Sequence, residues 1–109
     1  MRLTELEPQF LVIEEPQKRH RYVDDIVGAD GVMFLCPKCF RANGGSVGTH
    51  WVLCWALHVP LTESPGPGRW ELVGTGYGDL SLRAVQSSVE LTSGCRWHGF
   101  VTNGEVTGA

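Results

Sequence analysis

The chain has 109 residues, room for one core, and reads as a single domain over residues 1–109. Hydrophobic residues at 42% against 19% charged exclude a disordered polymer, and fourteen glycines with six prolines argue against a helical bundle. A net charge of −3 excludes a global field that would draw the molecule onto nucleic acid.

The first residues, Met1 to Glu7, carry acids where a signal peptide needs an apolar stretch. Phe10 to Ile13 is a short apolar run flanked by Pro8 and Pro16 and predicts a strand. The basic cluster Lys18-Arg19-His20-Arg21 is followed by Asp24 and Asp25, and predicts a solvated turn with offset charges. Arg21 to Val27 is a weaker strand candidate. A turn at Ala29-Asp30-Gly31 then leads into a buried strand, Val32 to Leu35, which runs directly into Cys36.

Beyond Cys39 lies a glycine-rich loop, Asn43 to Gly48. Thr49 to Leu57 is rich in β-branched and aromatic residues and predicts a central strand, apolar on both faces and covered on two sides. The apolar tract from Trp51 to Leu61 is broken by His58 and Pro60 and is far short of a membrane span. Residues 60–68 predict an exposed loop. Trp70 to Val73, Leu80 to Arg83 and Ser88 to Thr92 alternate as half-buried strands do. Phe100 to Thr107 predicts a β-hairpin, with Asn103-Gly104 as its tight primed turn. The expected fold is mainly β: a small antiparallel domain stapled by one zinc site between two knuckles.

The absence of a leader or membrane stretch leads to the expectation of a cytoplasmic protein, in which Cys36, Cys39, Cys54 and Cys95 stay reduced. Cys36-Pro37-Lys38-Cys39 is a Cys-x2-Cys element, and Cys95-Arg96-Trp97-His98 is a Cys-x2-His element. Zn2+ takes four tetrahedral thiolate or imidazole ligands, and two donors three positions apart fit one turn gripping one edge of that tetrahedron. The expected metal ligands are therefore Cys36, Cys39, Cys95 and His98.

Other readings use the same residues. A thioredoxin-like pair would place Cys36 at a helix start, but Arg41-Ala42-Asn43-Gly44-Gly45 argues against such a helix. A Rieske cluster would need an upstream Cys-x-His half that the chain lacks. His50 and Cys54, four apart in a predicted strand, share a face and stand as second-shell candidates or as a replacement ligand. His58 and His20 are expected at the surface.

Taken together, Leu35-Cys36-Pro37-Lys38-Cys39-Phe40, Gly48-Thr49-His50, Cys54-Trp55, Gly66-Pro67-Gly68-Arg69-Trp70 and Gly94-Cys95-Arg96-Trp97-His98-Gly99-Phe100 resemble a family of small phage- and prophage-encoded proteins without an assigned activity. The resemblance spans about residues 20–107. It implies a phage origin, a zinc-bound β fold, and residence in the bacterial host cytoplasm or the virion.

The expected role is a phage-encoded accessory or interaction module with a protein partner from phage or host. Four protein ligands would close the zinc shell and mark the metal as structural. A zinc-dependent hydrolase is the alternative. It would need an open metal position and a general base such as Glu90, Glu105 or His50, yet no His-Glu-x2-His motif is present. A zinc-knuckle nucleic-acid binder would use Lys38, Arg41 and Arg96; balanced charge in that part of the chain argues against it.

Overall fold

Period-two runs and continuous apolar runs fold as the sequence leads one to expect, into two sheets. The computed structural model describes residues 1–14, 19–61, 68–84, 87–91 and 94–108. Its strands are β1 (Gln9–Glu14), β2 (Arg19–Val23), β3 (Gly31–Leu35), β4 (Trp51–Ala56), β5 (Arg69–Val73), β6 (Ser81–Arg83), β7 (Val89–Glu90), β8 (His98–Thr102) and β9 (Glu105–Gly108). A 3₁₀ turn covers Leu3–Leu6, and one helix, α1, covers Pro37–Asn43.

The larger sheet has the order β2-β1-β3-β4-β5-β6, and the smaller one β7-β8-β9. Neighbours run antiparallel except β4 and β5, which are parallel. The main core lies between the sheets. Phe10, Val32, Phe34, Val52, Leu80 and Leu82 come from the large sheet side, Val89, Val101 and Val106 from the small one, with Leu3 and Leu6 added by the 3₁₀ turn. On the other face of the large sheet, Leu11, Met33, Trp55, Ala56 and Val59 form a second cluster. The strand β4 is thus covered on both sides, although Trp51 at its start stays 40% exposed. Full burial of a large apolar side chain contributes about 1.5–3 kcal/mol, so these two clusters hold the domain rather than its short helix.

Two local expectations change. Arg19, His20 and Arg21 do not form a solvated turn. They lie in the edge strand β2, paired against β1, where Arg21 meets Glu14 at 3.5 Å. Pairing with β1 overrides the charge pattern, because an exposed edge strand tolerates charged side chains as well as a turn does. That strand also stops at Val23, and Asp24 to Val27 turn away. His20 is exposed but sets its ring edge-on to Trp55, 5.0 Å between centroids. His58 is at the surface and pairs with Asp30 at 2.6 Å. Lys18, residues 62–67 of the expected loop and Thr92 of the expected strand lie outside the described residues.

At the predicted hairpin, Thr102 pairs with Glu105 across Asn103 (φ 49°) and Gly104 (φ 75°), the two left-handed positions of a primed turn. Its tip joins the sheets. Gly104 N–H donates to the Leu80 carbonyl at 2.8 Å, Asn103 N–H donates to Ser81 Oγ at 2.9 Å, and Leu3 N–H donates to the Gly104 carbonyl at 2.8 Å. A Cβ on Gly104 would collide with the carbonyl of Gly78. Gly104→Val should therefore destabilise the fold by about 2–4 kcal/mol, lowering Tm by roughly 10 °C or more. Asn103→Gly should stay within about 1 kcal/mol of the parent. Thermal denaturation followed by circular dichroism measures both, and equal melting of parent and Gly104→Val would contradict this role for the turn.

Candidate metal centre

The register of β3 against β4 builds the first half of the site. Val32 faces Cys54, and Phe34 faces Val52. One further step brings Cys36 opposite His50, where the Cys36 N–H donates to the His50 carbonyl at 2.9 Å. Residues directly opposite on an antiparallel pair share a face, with Cβ atoms about 4.5–5.5 Å apart. The column of side chains that fills the core inside the sheet therefore ends, at its rim, in a thiol beside an imidazole.

Cys39 comes from α1, a helix where the sequence pattern predicts none. Pro37 opens the helix at a position that needs no N–H donor. Gly44 (φ 68°) and Gly45 close it: Gly44 N–H donates to Arg41 O, and Gly45 N–H to Phe40 O, a Schellman closure. The glycines that argued against a helix are the ones that end it, after seven residues. Within its first turn the backbone amides of Cys39 and Lys38 are directed at Cys36 Sγ.

Cys95 arrives from the other sheet, in the turn between β7 and β8. Arg96 takes a left-handed φ of 55°, and the Trp97 amide faces Cys95 Sγ. Lys38 Nζ donates to the Cys95 carbonyl at 2.8 Å, tying this turn to α1. Trp97 is buried, edge-on to Phe34 at 6.1 Å between centroids, and anchors the turn in the core beside the strand that carries Cys36.

The donor atoms of Cys36, Cys39, His50 and Cys95 all lie within 4.8 Å of one another. Cys36 Sγ is 3.5 Å from Cys95 Sγ, and His50 Nε2 is 3.2 Å from Cys95 Sγ. Tetrahedral zinc bonds of about 2.3 Å to sulfur and 2.0–2.1 Å to nitrogen imply S–S edges of about 3.8 Å and S–N edges of about 3.5 Å. One ion would fit between these donors with small adjustments. The second ring nitrogen of His50, Nδ1, lies 3.3 Å from the Trp51 carbonyl. With its proton placed there, Nε2 presents a lone pair to the sulfurs, the arrangement of a metal-binding histidine.

The thiols differ in their ease of ionisation. Burial pushes Cys36 up to about 12 and also raises Cys39. Burial pushes Cys95 up too, but hydrogen bonds from His50, the Trp97 amide and the neighbouring thiols outweigh it and bring Cys95 down to about 6. A thioredoxin-like assignment would need Cys36 to be the acidic thiol, and its thiol moves in the opposite direction.

Three of the four expected donors thus come together, and His98 is not among them. It is the first residue of β8, opposite Glu90, and exposed. Strand alternation sends Trp97, Gly99 and Val101 inward, and His98 and Phe100 outward. A knuckle that used His98 would have to continue its turn one residue further, where the chain has already entered the sheet. Gly99 fixes this entry, because a Cβ there would meet the Thr107 carbonyl and the Trp97 ring. His50, which the sequence offers as a neighbour of the site or a replacement ligand, stands in the cluster instead. Cys54 shares its face, as the spacing implied, but sits opposite Val32, fully buried, with its thiol pushed upward by burial.

Among the described residues, no helix is long and apolar enough to cross a membrane. Comparison with protein-family models, curated proteins and solved structures finds no match.

The geometry separates the two histidines by experiment. His50→Ala should weaken Co2+ binding, followed by its thiolate charge-transfer absorption, by more than about 100-fold, since outer-shell losses alone cost 10–100-fold. His98→Ala should bind as the parent does. The reverse order would return His98 to the ligand set.

Proposed function

We propose that Cys36, Cys39, His50 and Cys95 hold one structural Zn2+, and that the chain is a phage-encoded accessory protein acting as an interaction module. The observation that carries the metal reading is the closed donor set: three sulfurs and one correctly oriented imidazole within 4.8 Å. Soft thiolates with imidazole favour zinc over magnesium or calcium, which take oxygen ligands. Four protein donors leave no open position for a substrate or an activated water.

The hydrolase alternative finds less support. His50, one candidate base, faces the sulfurs with Nε2 and the Trp51 carbonyl with Nδ1. Glu105 is held by Arg2 at 3.1 Å and by the N-terminal ammonium at 3.5 Å, and its carboxyl lies below the usual range because of Arg2. Glu90 stands on β7 opposite His98, outside the donor group. The phage origin and a place in the host cytoplasm or virion rest on the resemblance of the Cys-Pro-Lys-Cys and Cys-Arg-Trp-His-Gly-Phe elements.

Structural zinc contributes about 10 kcal/mol or more in small domains at neutral pH, against a net domain stability of about 5–15 kcal/mol. Its loss should therefore unfold the protein. Elemental analysis should find one zinc per chain, and chelation should release zinc and abolish the β circular-dichroism signal together. Cys95→Ser should reproduce the unfolding without a chelator. A stable, folded apo protein that gains hydrolytic activity on zinc addition would overturn the structural reading.

A further inference from the structure

A groove of about 380 Å³ lies between α1 and β9. Pro37, Trp97 and Val106 line it with apolar surface, while Lys38 and Arg41 supply two cations, and no acid among the described residues lines it. On a chain of net charge −3, that is a local reversal of sign. Arg41 is exposed on the last turn of α1 and has no ion-pair or hydrogen-bond partner among the described residues.

The β9 side of the groove is a sheet edge. At Val106 the edge is already taken: its N–H donates to the Met1 carbonyl at 2.8 Å, and its carbonyl accepts from the Met1 ammonium at 3.2 Å. Antiparallel alternation turns Gly108 outward in the same way, two residues on. Gly108 also lines the groove, and a Cβ there would meet nothing within 4 Å. Among the described residues, one more backbone rung therefore stands open beside two cations and an apolar floor.

We infer that this groove receives an extended, acidic peptide segment, pairing its main chain with Gly108 and placing carboxylates on Arg41 and Lys38. The inference rests on the interaction-module reading and names the chemistry of its partner. Added strands gain affinity from main-chain bonds and specificity from side-chain pockets. Opposite charge supplies the orientation. Nucleic acid fits less well. Two cations make a short electrostatic track, and the Trp97 ring is packed between Phe34 and Gly99 rather than offered for base stacking.

The test uses the zinc-loaded full chain and a fluorescein-labelled, end-blocked ten-residue peptide of alternating valine and glutamate, read by fluorescence anisotropy. Binding should be saturable, weaken with salt, and be absent for the valine–lysine counterpart. Arg41→Glu should weaken it at least tenfold and Gly108→Pro about threefold, with zinc content and melting unchanged in both. Arg41→Gln, expected to weaken binding less than the reversal, serves should Arg41→Glu alter the melting. Equal binding of the two peptides, no binding of either, or tighter binding of a thymidine decamer that Arg41→Glu abolishes would overturn the inference. Because zinc content and melting are read separately, failure of the groove leaves the metal reading standing. Loss of that reading would show in the zinc analysis instead.

Discussion

One cross-strand register governs the chemistry of this domain. With Val32 opposite Cys54 and Phe34 opposite Val52, Cys36 has no choice but to stand opposite His50. A slip of β4 by one residue would turn His50 to the other face of the sheet, away from Cys36, and disperse the donor set. That register is itself held by burial: Val32, Phe34, Val52 and Cys54 are all essentially inaccessible in the core between the sheets. Packing and the placing of the donor atoms are therefore the same constraint at two depths. The inner rungs exclude water, and the outermost rung presents donors. Trp97 extends the constraint to the second sheet, since its burial against Phe34 brings Cys95 to the same rim.

Much of this was legible from residue order. The strands at Gln9–Glu14, Gly31–Leu35, Trp51–Ala56 and Arg69–Val73 follow the apolar runs, and Asn103-Gly104 announced its own turn. The three cysteines of the donor group stood out by spacing. The fourth donor did not, because the same spacing rule pointed to His98. What decides between the histidines is long-range. His50 gains its place from standing opposite Cys36, fourteen residues earlier, while His98 loses its place to the alternation of β8. The signal that could have found His50 was its shared parity with Cys54, read together with the Cys36 end of the neighbouring apolar run. Helix α1 was missed for a related reason: Gly44-Gly45 reads as a breaker locally, but two glycines after Asn43 also make a Schellman closure.

The distribution of charge gives the domain a direction. The acids gather toward the first thirty residues, while Lys38 and Arg41 sit on α1, the helix that carries Cys39, and line the groove with β9. Lys38 serves both regions, since its ammonium holds the Cys95 turn while its position lines the groove. A zinc ion that fixes Cys36 and Cys39 would fix the helix turn that carries Lys38 and position Arg41 one turn later. On the proposed function the metal would be the scaffold for a recognition surface.

The central claim concerns the donor set around a single ion. Zinc K-edge X-ray absorption on the zinc-loaded chain tests it most directly. The account predicts three sulfurs at about 2.3 Å and one imidazole nitrogen at about 2.0–2.1 Å, with no further light-atom ligand. A shell with two sulfurs, with two imidazoles, or with a water oxygen in an open position would contradict it.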